Sequence, residues 1–174
     1  MLRHNYFKLR KLYRLTPEQL AQKVLYFAYG SNMHQPRLEA RVGRVECLGT
    51  YTLPGYKLTF DTGNDWQSFA NVKQSAKKTC EGVIYEMTYG QLCQLDWYEG
   101  LYERIKEDYK GRRLHVYISN KYRNEECIPR ITPDYRNALV LGCTKHNLHE
   151  SLAIINGIAA MPMTVREYLD YIWD

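Results

Sequence analysis

The chain has 174 residues, enough for one domain with a sizeable core, and no apolar run approaches the length that would cross a membrane. A formal charge of +5 is only mildly basic, so composition does not point to a nucleic-acid partner, and it favours small acidic ligands weakly at long range. The five cysteines (Cys47, Cys80, Cys93, Cys127 and Cys143) are odd in number and widely spaced, which excludes a disulfide framework and fits reduced thiols in a cytoplasmic protein. Residues 1–15 (MLRHNYFKLRKLYRL) mix cations with apolar residues without forming one clean stripe. They are expected to be a basic arm docked on the domain that fills 16–174, and nucleic-acid or membrane contact through this arm is not expected.

Thr16-Pro17-Glu18-Gln19 reads as the start of a short helix, with Thr as N-cap and Pro in the first turn. Tyr26-Phe27-Ala28-Tyr29-Gly30-Ser31-Asn32 follows: an aromatic, apolar run suited to a buried strand that stops at Gly-Ser-Asn. Gly30 can adopt backbone angles closed to other residues and Asn32 tolerates a left-handed conformation, so a sharp turn with freed backbone N–H groups is expected there. Such groups bind a carboxylate, or a carbonyl oxygen that is gaining charge. A loop or short helix is expected from Met33 to about Arg41. Strands are expected at Val45–Thr52, Tyr56–Phe60, Glu81–Met87, Arg104–Tyr109 and Leu114–Ser119. Pro54-Gly55, Thr62-Gly63-Asn64-Asp65 and Lys110-Gly111 supply the turns between them.

Thr88-Tyr89-Gly90-Gln91 has the form of a capping box, from which a helix should run to Tyr98 and stop at Gly100. Pro129–Asp134 is expected to be a loop, and two closing helices are expected from Asn147 and from Thr164. The economical fold is α+β: a small, mostly antiparallel sheet curled into a β-barrel and surrounded by helices.

Two groups of residues could carry chemistry. Glu99 lies at a helix C-terminus next to Trp97 and Tyr98, where the helix dipole and apolar neighbours disfavour charge and move a carboxyl toward the range useful for proton transfer. Cys143, His146 and His149 at steps of three could suggest a nucleophile pair or a metal site, but the spacing is not a zinc signature.

The ordered combination of Tyr-Phe-Ala-Tyr-Gly-Ser-Asn, then Leu95-Asp96-x-x-Glu99-Gly100, resembles the γ-glutamylcyclotransferase family. Ala70-Asn71-Val72, Ser75 and Gly82-Val83-Ile84-Tyr85-Glu86-Met87 are similar to its central strands. Pro133-x-Tyr135 and Leu141-Gly142-Cys143 are similar to its C-terminal segment. The resemblance spans roughly residues 25 to 157. It implies a small β-barrel with helices around it and an enzyme that cyclises a γ-glutamyl group to 5-oxoproline, releasing the attached amine or amino acid. It implies Glu99 as the catalytic glutamate, Tyr26, Phe27, Ala28, Tyr29, Gly30 and Ser31 as the substrate-binding loop with Asn32 just after it, and Tyr135 as a substrate-contacting tyrosine. It implies no cofactor and no metal, a small-molecule γ-glutamyl substrate, and a monomer or homodimer. Cys143 falls where relatives carry a small residue. The chain departs from many relatives in the short connection after Gly100, which leaves the leaving group open and keeps a second possibility, a non-catalytic module that retains the pocket.

Overall fold

A computed structural model describes residues 15–63, 67–121 and 128–160. The basic arm up to residue 14, Cys127 and the closing helix expected from Thr164 lie outside the described residues. The elements in chain order are α1 (Pro17–Ala21), β1 (Lys23–Ala28), a 3-10 turn (Ser31–Met33), α2 (Gln35–Val42), β2 (Glu46–Gly63), β3 (Ser68–Thr88), α3 (Tyr89–Tyr98), β4 (Glu103–Tyr109), β5 (Arg112–Ile118), β6 (Arg130–Ile131), α4 (Pro133–His146), α5 (His149–Gly157) and β7 (Ala159–Ala160).

Five strands form one sheet in the order β2-β3-β1-β5-β4, and β6 and β7 form a separate parallel pair. All neighbours in the large sheet are antiparallel except β1 and β5. The fold is the expected α+β arrangement with a strongly curled sheet, and among the described residues its hydrogen-bonded ladder runs from β2 to β4. Its two edge strands nevertheless meet through side chains. The Tyr56 hydroxyl on β2 donates to Glu107 on β4 at 2.6 Å, and the rings of Tyr51 and Tyr109 pack edge to face at 4.9 Å. Gly55 is at φ 77 where the β2–β3 register shifts, so Pro54-Gly55 is a bulge inside one long strand, not a turn between two. The bulge adds to the curl.

Strand β1 sits at the centre of the sheet, where both faces are covered. Leu25, Tyr26, Phe27 and Ala28 are all buried, as the unbroken apolar run requires. Gly82 on β3 lets this happen: a Cβ there would lie 2.4 Å from the Ala28 carbonyl oxygen and 2.5 Å from the Phe27 ring. Lys110-Gly111 makes the expected tight hairpin turn between β4 and β5, with both residues at positive φ.

The helix start read from Thr16 and Pro17 and the one read from the Thr88–Gln91 pattern are both capping boxes in the structure, Thr16 with Gln19 and Thr88 with Gln91. The segment from Pro133 departs from expectation. It forms the 14-residue helix α4, with Thr132 as N-cap. Asn147, at φ 55, ends that helix rather than starting the next one. Gly142 on α4 has no room for a side chain, because a Cβ would lie 2.7 Å from the Met33 Cβ and 2.9 Å from the His34 nitrogen. The helix backbone therefore presses directly on the 3-10 turn. The Tyr85 hydroxyl on β3 holds the same turn by donating to the Met33 carbonyl at 2.9 Å. Among the described residues no helix is long and apolar enough to cross a membrane.

Candidate active site

The end of β1, the 3-10 turn, α2 and the end of α3 converge on a cavity of about 440 Å³. Tyr26, Tyr29, Gly30, Ser31, Asn32, Glu99 and Tyr135 all line it, so seven of the nine residues singled out from sequence are brought together. Phe27 and Ala28 are not among the lining residues. Strand alternation turns the Phe27 ring to the other face of the sheet, against Tyr51, and Ala28 is core.

The turn differs in detail from expectation. Gly30 is extended, at φ −111, and Asn32 lies within the 3-10 turn, so neither residue uses a left-handed conformation. A Cβ at Gly30 would point toward the Ala70 Cβ at 3.5 Å and the Tyr135 hydroxyl at 3.7 Å. Those are ordinary contacts, and the glycine keeps that part of the cavity open. The first hydrogen bond of the turn runs from the Met33 N–H to the Gly30 carbonyl. The N–H groups of Gly30, Ser31 and Asn32 precede it and have no partner within the turn.

Helix α3 ends at Tyr98 and Glu99 is its C-cap. Gly100 does not take the left-handed conformation expected of a helix stop. The Asn32 amide donates to Glu99 Oε1 at 3.0 Å and, with its other hydrogen, to the Tyr26 hydroxyl at 3.0 Å. Arg41 Nη1 donates to Asn32 Oδ1 at 3.0 Å and lies 3.4 Å from Glu99 Oε1. The carboxylate is therefore met by polar donors from Asn32 and Arg41. The aromatic residues beside it in sequence stand at the outer rim instead, Trp97 40% and Tyr98 53% exposed. Arg41 stacks over the Tyr98 ring, 5.1 Å from its centre.

Two tyrosines hold the far wall. The Ala70 N–H donates to the Tyr135 hydroxyl at 3.0 Å, and the Tyr102 hydroxyl donates to the Ala70 carbonyl at 2.7 Å. Tyr102 reaches this position because the connection after Glu99 is tight: its N–H bonds the Glu99 carbonyl at 3.0 Å. Burial raises the pKa of Tyr26 and of Tyr135, with the nearby Glu99 charge adding to it, so both remain neutral hydroxyls able to donate.

Sequence reading missed Arg37, Arg41, Tyr102 and Tyr117, all of which line the cavity. The two arginines are four residues apart on α2, the spacing of one helical face, and that spacing was the available signal. The Cys143 thiol is fully buried, and burial pushes its pKa up to about 12. Among the described residues no group of His, Cys, Asp and Glu is placed to hold a metal ion.

Comparison with known proteins bears on the fold and the family. Bovine gamma-glutamylcyclotransferase is 26% identical over 142 residues, covering 75% of each chain. A solved structure named gamma-glutamyl cyclotransferase shares 24% identity and superposes with a TM-score of 0.67 over 87% of this chain and 98% of its own. YkqA from Bacillus subtilis shares 20% identity and a TM-score of 0.63, over 88% of this chain and 60% of its own. At these identities the two structures establish likeness of fold. A family model described as gamma-glutamyl cyclotransferase, AIG2-like, matches residues 26–137, which include the turn and Glu99, and the chain belongs to that family.

Proposed function

We propose that the protein cyclises the γ-glutamyl group of a γ-glutamyl amino acid or amine to 5-oxoproline and releases the attached amino acid or amine. The observation that carries this reading is the 3.0 Å bond from Asn32 to Glu99, because it sets the carboxylate and the donor-bearing turn on one cavity.

The substrate holds its own nucleophile. Its α-amine can reach its γ-carbonyl carbon and close a five-membered ring, so the enzyme's tasks are to fold the chain and move protons. Holding the two groups in a near-attack pose is worth roughly 7–11 kcal/mol. Glu99 takes a proton from the α-amine as its nitrogen bonds to the γ-carbon. The carbonyl oxygen gains charge as this bond forms, and donors aimed at it stabilise that charge. The bond from the γ-carbon to the leaving nitrogen then breaks, and Glu99 returns the proton to that nitrogen. No water is consumed, and one carboxylate serves both steps.

Incubation with γ-glutamyl dipeptides and γ-glutamyl amines, followed by mass spectrometry, should detect 5-oxoproline. Glu99→Gln keeps the shape of the side chain and should abolish turnover. Full activity in that variant would remove Glu99 from the mechanism. Binding of 5-oxoproline without turnover by the native protein would favour the non-catalytic module.

A further inference from the structure

A γ-glutamyl group brings two different oxygen acceptors into the cavity. Its α-carboxylate carries a full charge throughout, whereas its γ-carbonyl oxygen gains charge only during attack. The cavity holds two kinds of donor that match this difference. The turn offers the neutral N–H groups of Gly30, Ser31 and Asn32. Helix α2, which begins at Gln35 directly after the turn, offers the guanidinium of Arg37.

Arg37 differs from its neighbour Arg41. Arg41 is occupied by Asn32, Glu99 and the Tyr98 ring. Arg37 lines the cavity with its Nε buried and without a hydrogen-bond partner among the described residues. Arg37 as a whole is half-buried, so the unmet donor is its Nε, and an anion entering the cavity would satisfy it. Burial, then the like charge of Arg41, weighs against the charged form of Arg37, while Tyr135, Asp134 and Glu99 oppose this more weakly. Tyr135 is buried at the interior end of the cavity beside Gly30, whereas Trp97 and Tyr98 form the solvent-facing rim. A γ-glutamyl substrate with its 5-oxoproline half at the Tyr135 end would turn its leaving half toward Trp97 and Tyr98.

We propose that Arg37 binds the α-carboxylate of the γ-glutamyl group through its guanidinium, which leaves the Gly30–Asn32 amides to the γ-carbonyl oxygen. The assignment takes its ligand from the cyclotransferase reading. It makes Arg37 a determinant of substrate specificity, because planar two-point pairing with a carboxylate is a geometry that arginine provides and lysine does not.

The test uses the full chain with Arg37→Gln and Arg37→Lys, both checked for folding by circular dichroism. Turnover of γ-glutamylglycine is compared with turnover of its analogue amidated at the glutamyl α-carboxylate. In parallel, calorimetry compares binding of 5-oxoproline with that of 5-oxoproline amide. The native protein should prefer the free carboxylate by about 10- to 100-fold in both assays. Arg37→Gln should raise KM for γ-glutamylglycine by a similar factor, change kcat little and lose the preference, and Arg37→Lys should recover part of it. An unchanged preference in Arg37→Gln overturns the assignment. So does a variant that loses instead the discrimination between γ-glutamylglycine and γ-glutamylmethylamine, since Arg37 would then read the carboxylate of the leaving group. If the native protein turns over no γ-glutamyl compound, the cyclotransferase reading fails and the calorimetry still decides. An Arg37-dependent preference for 5-oxoproline over its amide upholds the carboxylate site, and its absence overturns it.

Discussion

Asn32 and Glu99 are 67 residues apart in sequence and joined by a 3.0 Å hydrogen bond. Asn32 is buried on the turn after β1, and Glu99 closes α3, so the bond is a direct tie between the two halves of the cavity, beside the one from Arg41. The same amide supports Tyr26, and Arg41 orients the amide by donating to its oxygen. Removing Asn32 should therefore misplace the carboxylate without unfolding the protein. Asn32→Ala should lower kcat by about tenfold or more, the scale of one hydrogen bond to a charged group. Asn32→Asp should be worse, because it replaces a donor to Glu99 with a second carboxylate. Steady-state kinetics with circular dichroism as a control would decide, and native kcat in Asn32→Ala would reduce the bond to a structural bystander.

Gly142 should control the same turn from behind. Its missing side chain lets α4 rest on Met33 and His34, and a Cβ would need to sit 2.7 Å from the Met33 Cβ. Backbone cannot yield as a flexible side chain can, so Gly142→Ala should push the turn and Asn32 away from Glu99. We expect a stability loss of about 1–3 kcal/mol in urea titration, together with reduced kcat. Gly157 is the control, since a Cβ there meets nothing within 4 Å. Gly157→Ala should leave kcat unchanged and stability equal or slightly higher. Equal behaviour of the two variants would contradict the packing argument.

A thiol mechanism makes the opposite forecast to a carboxylate mechanism. Cys143 is fully buried, and burial pushes its pKa up to about 12, so at neutral pH it is neither a thiolate nor accessible. Cys143→Ala should keep native turnover, and brief alkylation of the folded enzyme should not inactivate it. Cys47 is partly exposed and is expected to take up label without effect on rate. Loss of activity that tracked labelling of Cys143 would reopen the nucleophile.

The extent to which the site was legible depended on whether a residue's role was local. Glu99 and the Gly30–Asn32 turn announce themselves in short patterns, and the Thr-Pro start and the Thr88–Gln91 capping box placed α1 and α3 correctly. Arg37 and Tyr102 carry no such mark. Arg37 matters because it lines the cavity with its buried Nε unbonded among the described residues, and Tyr102 matters because a tight turn delivers its hydroxyl to Ala70. Helix α4 repeats the Thr-Pro start that identified α1. Its 14 residues lack a clear apolar stripe, because it is buried by close backbone contact at Gly142 as well as by side chains. The first half of β3 did not show in the residue pattern, and only the resemblance at Ala70-Asn71-Val72 and Ser75 placed it among the strands. Lys73, Gln74, Ser75, Lys77 and Lys78 show no apolar alternation; Lys73 and Gln74 pair with Lys57 and Tyr56 on β2, and 75–78 fall at the register shift opposite Gly55.

His115 should make the fold sensitive to mild acid. It lies on β5, paired in register with Tyr26 on β1 and Lys106 on β4, and it is 6% exposed. Its Nδ1 is buried without a partner among the described residues. Burial, then the cations Arg104, Lys106 and Arg113, push its pKa down to about 4. An unfolded histidine titrates near 6.5. Above that value both states are neutral and the native stability is fully present. As pH falls from 6.5 toward 4 the unfolded chain takes up a proton that the folded chain refuses, so stability falls, and below 4 the effect levels off. Between pH 7 and pH 5 this one group should cost about 2 kcal/mol. Urea titrations at the two pH values should show that loss in the native protein and a smaller one in His115→Gln, which cannot titrate. An equal loss in both would assign the acid sensitivity to other groups.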